Sequence, residues 1–361
     1  MSKAYSRSKT LWYTRCPAPT PLGIAAQLGW IEAEFDHDRV SVRALQDEAD
    51  PKVRGSHFDH WLPNAVRQGG SIPAIWSRAR GRDTRLLGLT WTNESQAILT
   101  RVDSDVHRIT DLRGKRLGVV TRPWVPVDFW KATTIRAYVA ALYTQGLAEK
   151  DVEFVELPAA ETDPTGGPSD PQTLLGSREA RALLEDEVDV IYHKGPLGLE
   201  LARAIGARTV YDLGGHPDPK VRINNGSPRT LTVSASLIEG DFPLVVRLVK
   251  KVLQAGRWAE DHRGETLRYL AKETRSSEAT VVCAYGSDVH RHLRTDLDLD
   301  AVEALADFTR FLADWKFIPT YFDVSTWIDP RPLTQALAEL HQERRVLEQG
   351  EWGIRAVAGT L

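Results

Sequence analysis

Short apolar runs alternate with segments of helical period along the whole chain. Runs at residues 40–45, 85–91 and 188–192 have the length and the aliphatic composition of buried strands. In residues 243–259 and 301–315, apolar side chains recur three and four positions apart, as on one face of a helix. This alternation predicts an α/β protein with mostly parallel sheets.

The same pattern predicts the remaining elements. Further strands are expected at residues 11–13, 97–101, 117–120, 152–157, 209–213 and 230–234, and further helices at 21–31, 131–145, 177–185 and 196–205. Residues 158–172 are rich in Pro, Gly and Asp, which predicts a surface loop. The strand at 230–234 is interpreted as returning from an inserted segment. We therefore expect two lobes, one built from residues 1–99 with 230–361 and the other from 100–229.

Composition narrows the class of protein. A chain of 361 residues is long enough for two lobes, and its net charge of −3 gives no electrostatic reason to expect nucleic acid or an anionic membrane as partner. No apolar run approaches the roughly 20 residues that span a bilayer. The polar start of the chain lacks an apolar signal core, and two distant cysteines exclude a disulfide scaffold. We expect a cytoplasmic monomer that binds a small molecule.

One cysteine lies in an unusual setting. Cys16 follows a short apolar strand and precedes a helix that is expected to begin with Thr20 as its N-cap and Pro21 as its first residue. A helix N-terminus stabilises a thiolate and binds anions. Cys16 is therefore a candidate nucleophile or acid, and the alternative is a small buried apolar residue.

Familiar chemical motifs are absent, including the phosphate-binding glycine loop, Gly-x-Ser-x-Gly, His-Glu-x-x-His and Cys-x-x-Cys. His57 and His60 have a spacing that a metal could use, but no further ligand lies near them in the sequence. We expect neither a metal nor a cofactor. Cys283 has apolar neighbours, which predicts a core position.

Several short motifs together resemble a known family. They are Tyr13-x-x-Cys16-Pro17-x-Pro19, His57-Phe58, Arg67-x-Gly69-Gly70-x-Ile72-Pro73 and Arg85-Leu86-Leu87-Gly88, with weaker similarity at Thr232-Val233-Ser234 and Gly256-x-Trp258-Ala259-x-Asp261-His262. This pattern resembles the 2'-hydroxybiphenyl-2-sulfinate desulfinase family of bacterial biodesulfurisation. The similarity runs through most of the chain, but it is at motif level only in the first ninety residues.

The resemblance implies a fold, a reaction and a set of residues. The fold would be a two-lobed, type II solute-binding-protein-like α/β fold without an export signal, with the ligand site in the inter-lobe cleft. The reaction would cleave the C–S bond of an organic sulfinate and release sulfite. Carried over to this chain, the catalytic residues would be Cys16, His57 and Arg67, and the substrate-binding residues Thr14, Phe58 and Gly70.

These residue types suit the chemistry. A sulfinate is a compact anion that matches the guanidinium fork of Arg67 and the backbone N–H groups at Gly70. Breaking its C–S bond requires a proton on carbon or a nucleophile on sulfur, and the thiol of Cys16 can serve as either. His57 could orient the thiol. Taken singly, the histidine could equally be structural, the arginine solvated and the glycine part of an ordinary turn.

Other positions depart from what a biphenyl pocket requires. The strand that ends at residue 192 is followed by His193 and Lys194, and Arg122 and Trp124 follow another strand end. If these strand ends face the cleft, Trp124, His193 and Lys194 contact the substrate, which would carry a second anionic or polar group. The alternative for Lys194 is a solvated loop residue.

Two other functions compete with a desulfinase. The first is a non-catalytic solute-binding or ligand-sensing protein of the same fold, which the cysteine-containing constellation disfavours. The second is the thiamin-pyrimidine synthase branch of the fold, whose cysteine-rich motif this sequence lacks.

Overall fold

The structure, a computed structural model, describes residues 9–38, 40–160 and 176–358, with side chains as far as residue 346. Most of the loop predicted at residues 158–172 lies outside the described residues.

The described residues form ten strands in three sheets. The strands are β1 (Lys9–Arg15), β2 (Val40–Ala44), β3 (Ala65–Gly69), β4 (Thr84–Thr90), β5 (Gln96–Thr100), β6 (Arg116–Thr121), β7 (Glu153–Pro158), β8 (Ile191–Lys194), β9 (Arg208–Asp212) and β10 (Arg229–Ser234). One sheet has the order β2-β1-β3-β10-β4, a second has the order β8-β5-β9, and the third pairs β6 with β7.

Helices surround these sheets. They are α1 (Pro21–Gln27), α2 (Trp30–Phe35), α3 (Pro51–Asp59), α4 (Ser71–Ala79), α5 (Phe129–Thr144), α6 (Arg178–Leu184), α7 (Gly195–Ala204), α8 (Pro219–Arg222), α9 (Ala235–Gly240), α10 (Phe242–Asp261), α11 (Arg263–Thr274), α12 (Glu278–Tyr285), α13 (Leu299–Asp314) and α14 (Arg331–Ala358). None of the helices in the described part of the chain is long and apolar enough to cross a membrane.

The chain crosses between the sheets earlier than the sequence predicted. Strand β5 pairs with β8 and β9, so it belongs to the second lobe. The first crossing therefore lies between Thr90 and Gln96, and the boundary expected after residue 99 is wrong by one strand. The return crossing precedes β10, which begins at Arg229, one residue before the predicted return strand.

The two crossing strands also change the character of the sheets. Parallel pairing holds for β1 with β2, β1 with β3 and β6 with β7. Strand β10 runs antiparallel to β3 and β4, and β5 runs antiparallel to β8 and β9. The prediction of mostly parallel sheets is wrong because each strand that arrives from the other lobe runs against its neighbours.

The lobes share part of their apolar core. Leu86 and Leu89 of the five-stranded sheet lie in one buried cluster with Tyr138 of α5 and Phe308 of α13. Helix α13 was assigned to the first lobe by its place in the chain, yet it packs in the same cluster as the second-lobe helix α5. The lobes therefore meet over a continuous apolar contact as well as through the two chain crossings.

The turn before α1 has the predicted geometry. Thr20 has extended backbone angles, its side-chain oxygen accepts the N–H of Gly23 at 3.0 Å, and Pro21 is the first helical residue. The predicted N-cap is therefore confirmed. This cap sets where the turn that carries Cys16 ends and α1 begins.

Gly256 in the middle of α10 tests how closely this helix packs. A Cβ atom there would lie 2.5 Å from the backbone oxygen of Leu293. We expect Gly256→Ala to lower the free energy of unfolding by about 1–3 kcal/mol, because backbone cannot move aside as a flexible side chain can. Urea denaturation measures the change.

Gly55 of α3 is the matched control, because a Cβ atom there meets no atom within 4 Å. Gly55→Ala should stabilise the protein by up to about 1 kcal/mol through helix propensity. Equal effects of the two substitutions would contradict the packing argument.

Candidate active site

Cys16 directly follows β1, at the carboxyl end of that strand. Because β1 and β3 are parallel, the residues that follow these two strands lie at the same end of the sheet. The thiol is buried. It fits only because residue 69 is glycine, since a Cβ atom on Gly69 would lie 1.8 Å from Cys16 Sγ. Sequence reasoning treated Gly69 as part of a turn and missed this role.

His57 extends from the last turn of α3 toward the thiol. Its Nε2 lies 4.0 Å from Cys16 Sγ, and its Nδ1 lies 2.9 Å from the hydroxyl of Thr14. Burial, followed by the positive charges of Arg67 and His60, lowers the pKa of His57 well below its ordinary value. The imidazole is therefore neutral near pH 7, with one nitrogen donating and the other accepting.

Arg67 on β3 is almost completely buried, with 2% of its surface exposed. Its Nη2 lies 4.0 Å from Cys16 Sγ, and its Nε donates to the backbone oxygen of His57 at 3.1 Å. Its Nη1 has no hydrogen-bond partner among the described residues, and no carboxylate of that part of the chain lies within ion-pair distance. Burial lowers the pKa of Arg67, and the Cys16 sulfur opposes that shift.

A buried guanidinium without a carboxylate is an incomplete arrangement. Buried charges are normally paired, because removing them from water is costly. Here the neighbouring groups are a sulfur and a carbonyl oxygen, and one N–H group has no acceptor. The arrangement therefore suits a small anion that binds next to the thiol and accepts from Arg67.

The start of α1 does not present free donors to the thiol. The N–H of Leu22 donates to Gln68 Oε1 at 2.8 Å, and the N–H of Gly23 donates to the capping Thr20. The expectation that this helix N-terminus supports Cys16 through free N–H groups is therefore wrong for these two groups. Their hydrogen bonds are satisfied within the protein.

Asn225 occupies the start of α4 in the same way. Its backbone oxygen accepts from the N–H of Ser71 at 2.8 Å, and its Oδ1 accepts from the N–H of Ile72 at 2.9 Å. A Cβ atom on Gly70 would lie 2.6 Å from the Asn225 side chain, so Gly70 allows this close contact. A contact between Gly70 and the substrate stays a prediction.

A row of rings leads from His57 to the second lobe. His57 packs edge-on against Phe58, with centroids 4.9 Å apart, and Phe58 stacks on Phe129 at 6.3 Å. Phe129 contacts Trp130 at 5.6 Å, and Trp130 contacts His193 at 5.9 Å. The predicted residues Phe58 and His193 therefore lie in one aromatic row. The row also contains Phe129, which no motif in the sequence singles out.

Arg122 lies over this row. Its guanidinium carbon is 5.5 Å from the centre of the Trp130 ring, which is a cation–π distance. Its Nη1 and the indole Nε1 of Trp124 are buried and have no hydrogen-bond partner in the described ranges. The predicted site residue Trp124 thus lies two residues from a cation that stacks on the row.

Lys194 occupies a different environment from the one expected. Its ammonium contacts both carboxylate oxygens of Glu94 at 2.9 Å, and the Tyr285 hydroxyl donates to the same carboxylate at 3.3 Å. Burial would raise the pKa of Glu94, but the charges of Lys194 and Arg229 outweigh it and lower that pKa. Lys194 is thus not a solvated loop residue, and a substrate contact, which stays a prediction, would compete with Glu94.

His193 is also engaged by an acidic neighbour. Its Nε2 lies 3.6 Å from Glu179 Oε1, an ion pair only when the ring is protonated. Burial is the largest effect on the pKa of His193, and it lowers that pKa although Glu179 acts in the opposite direction. The ring is therefore neutral near pH 7, and its aromatic contact is with Trp130.

Two further residues named in the sequence predictions are Cys283 and His60, and the latter lies close enough to His57 to affect its charge. The prediction that Cys283 is core is wrong, because this residue is exposed; Arg203 Nη2 lies 3.9 Å from its sulfur. Burial, with the charges of Arg67 and Arg82, lowers the pKa of His60 to about 3. Within the described ranges, no group of three or more His, Cys, Asp or Glu side chains is arranged to hold a metal ion.

The chain is similar in sequence to known desulfinases. It is 29% identical over 358 residues to 2'-hydroxybiphenyl-2-sulfinate desulfinase of Rhodococcus erythropolis, and the match covers 91% of this chain and 93% of that protein. The same identity and coverage hold for the desulfinase of Rhodococcus qingshengii. The resemblance expected from the motifs is confirmed. No protein-family profile matches the chain.

Solved structures give the same result. The desulfurization enzyme DSZB superposes with a TM-score of 0.71 at 29% identity, covering 92% of this chain and 99% of that one. A cysteine-to-serine variant of DSZB in complex with biphenyl-2-sulfinic acid also gives a TM-score of 0.71, at 27% identity. The periplasmic aliphatic sulphonate binding protein SsuA of Escherichia coli, at 14% identity and a TM-score of 0.64, shares the fold. The predicted type II solute-binding-protein-like fold is confirmed.

The buried pair of Lys194 and Glu94 makes a stability prediction. The two side chains are 13% and 4% exposed, so removing the ammonium leaves a buried carboxylate without its main partner. We expect Lys194→Met to lower the free energy of unfolding by about 3 kcal/mol. Adding Glu94→Gln should recover part of that loss, and urea denaturation measures both.

The pH dependence supplies a second measurement. Because the folded pKa of Glu94 lies below its ordinary value, the pair stabilises the protein above about pH 4.3, and this stability is lost as the pH falls through the folded pKa. In Lys194→Met, the loss of unfolding free energy on acidification should be smaller than in the wild type. The exposed Lys52→Met is the control. An unchanged unfolding free energy in Lys194→Met would contradict the assigned pair.

Proposed function

We propose that this protein is a desulfinase that cleaves the C–S bond of an aromatic or heteroaromatic sulfinate and releases sulfite. The observation that carries the proposal is the buried Arg67, which among the described residues has a vacant donor and no carboxylate partner, beside the buried thiol of Cys16. A sulfinate supplies the missing anion. Its bidentate oxygens match the guanidinium fork, and this holds the sulfur near the thiol.

The overall reaction requires only water as a second reactant. An aryl sulfinate and water give the arene and bisulfite, and the reaction needs no external oxidant or reductant. In one route the Cys16 thiol gives its proton to the carbon that bears the sulfur. The C–S bonding pair then remains with the ring, sulfur dioxide leaves, and water converts it to bisulfite with return of a proton to the cysteine.

In the other route the Cys16 thiolate attacks the sulfinate sulfur. The C–S bonding pair leaves with the carbon, which takes a proton, and the sulfur dioxide unit stays on the cysteine. Water then attacks that sulfur, which releases bisulfite and the thiol. This route alone passes through a covalent adduct, so intact-protein mass spectrometry during turnover distinguishes the two.

The class and the setting are part of the same proposal. With water as the second reactant, the enzyme would be a hydrolase acting on carbon–sulfur bonds, without a metal or an organic cofactor. The two unpaired cysteines support a setting in the reducing cytoplasm, where the enzyme would act as a monomer. His57, neutral and in contact with Thr14, would orient the thiol.

The central test is sulfite release from biphenyl-2-sulfinate by purified protein. We expect Cys16→Ser to reduce kcat by at least about a thousandfold, because an alcohol is both a weaker acid and a weaker nucleophile than a thiol. Cys283→Ser is the matched control and should leave the rate unchanged, since that cysteine is exposed and outside the site.

Arg67→Lys tests the anion contact in the same assay. It keeps the charge but loses the planar fork, so kcat/KM should fall by about 10- to 100-fold while the fold is retained. Wild-type activity in this variant would contradict the role of Arg67. Tight sulfinate binding with no sulfite release by wild-type protein would favour the solute-binding or ligand-sensing alternative.

A further inference from the structure

The first inference concerns the part of the substrate that is remote from the sulfinate. Arg122 lies on the loop after β6, with its guanidinium over Trp130. Among the described residues, no carboxylate pairs with that guanidinium. The Asp128 carboxylate nearby in the chain accepts the backbone N–H groups of Arg122 at 2.6 Å and Lys131 at 3.0 Å.

Two buried N–H donors on the loop after β6 therefore have no acceptor among the described residues. They are Nη1 of Arg122 and Nε1 of Trp124. A buried N–H group without an acceptor is unfavourable, and more so when it is charged. The ring beneath the guanidinium, Trp130, belongs to the row that ends at the catalytic His57.

We propose that Arg122, assisted by the indole N–H of Trp124, binds a carboxylate or similar anionic oxygen group on the aromatic part of the substrate. The inference rests on the proposed desulfinase function and narrows its substrate class to doubly anionic aromatic sulfinates. Phe58, Phe129 and Trp130 would contact the aromatic skeleton between the two charged ends.

The test compares biphenyl-2-sulfinate with an analogue that carries a carboxylate on the distal ring. Wild-type protein should prefer the analogue in kcat/KM. In Arg122→Met this preference should fall by about 10- to 100-fold, mainly through KM, because a contact remote from the reacting atoms contributes uniform binding.

The matched control is Arg80→Met, since Arg80 stacks on Trp76 at 5.0 Å but is exposed at the end of α4. Calorimetric titration of both compounds into the Cys16→Ser variant, with and without Arg122→Met, measures the same preference without turnover. A binding preference that Arg122→Met removes would support this site even if no sulfite is released. Equal affinity of the Cys16→Ser protein that retains Arg122 for the two compounds would overturn the proposed anion site.

The second inference concerns the tautomer of His57, and a different set of contacts carries it. Gln46 Nε2 lies 2.8 Å from the Thr14 hydroxyl and also contacts the backbone oxygen of Arg15. A carbonyl oxygen only accepts, so this contact orients the amide with its nitrogen toward both groups. The Gln46 amide therefore donates to Thr14.

The hydroxyl of Thr14 then has one remaining choice. Thr14 is fully buried, and its only other described partner is His57 Nδ1 at 2.9 Å. Because the oxygen already accepts from Gln46, its proton is used only if it points at Nδ1. The neutral ring then carries its own proton on Nε2, the nitrogen that faces Cys16 Sγ at the outer limit of hydrogen bonding.

We infer that Gln46 is a positioning residue that holds His57 in the Nε2–H tautomer through Thr14. The Cys16 sulfur is then approached by two donors, His57 Nε2 and Arg67 Nη2. Two donors at the sulfur would stabilise the negative charge that the nucleophilic route places there. Thr14, predicted from the sequence as a substrate contact, would act through the histidine.

Gln46→Glu tests this inference because a carboxylate only accepts. The Thr14 hydroxyl should then turn toward residue 46, and His57 should carry its proton on Nδ1. Two-bond proton–nitrogen correlation NMR of the histidine rings near neutral pH reads the tautomer directly. We expect Nε2–H in the wild type and Nδ1–H in Gln46→Glu, with kcat lower by at least about tenfold and KM little changed.

A second readout is independent of turnover. In a Cys283→Ser background, alkylation of Cys16 by iodoacetamide should be slower in Gln46→Glu than with wild-type Gln46, because the thiolate loses a donor. Gln335→Glu, on the exposed face of α14, is the control for added charge. An Nδ1–H tautomer in the wild-type protein would overturn the inference, even if Gln46→Glu failed to fold.

Discussion

The site depends on one unbalanced charge, the guanidinium of Arg67 inside the five-stranded sheet. Its side chain is almost completely buried, and its polar partners within the described part of the chain are a carbonyl oxygen and a sulfur. Such a cation is tolerated because neighbouring strands hold its backbone and because an anion can complete its hydrogen bonds. The positions of Cys16, Gly69 and His57 are all defined by contact with this side chain or with one another.

Much of the fold could be predicted from the sequence, because apolar period and turn residues report local structure directly. The amphipathic helices and most strands, as well as the cap at Thr20, follow from residues close together in the chain. No element was predicted between residues 45 and 85, where helix α3 and strand β3 lie, since their burial depends on distant partners. The strand directions were mispredicted for the same reason, because a crossing strand looks locally like any other.

The site was predicted unevenly, and the difference has a physical basis. Cys16, His57 and Arg67 were identified through motifs in the first ninety residues, and the structure brings them together. Gln46 gave no signal, because its role comes only from the parallel pairing that places the end of β2 beside the end of β1. The free donors expected at the helix N-termini were absent because distant side chains, including Asn225, already accept from them.

The role of a buried cation depends on whether an acidic side chain pairs with it, and the local sequence does not predict that partner. Lys194 was considered a candidate for substrate binding because it follows a strand end, yet Glu94, a hundred positions earlier in the chain, neutralises it. Arg67, in the middle of β3, and Arg122, just after β6, have no such partner within the described residues. The role of each of these cations is therefore decided by whether an acid elsewhere in the fold pairs with it. Lys194, which Glu94 balances, therefore contributes to stability, whereas an unpaired cation such as Arg67 can complete its hydrogen bonds with a small anion.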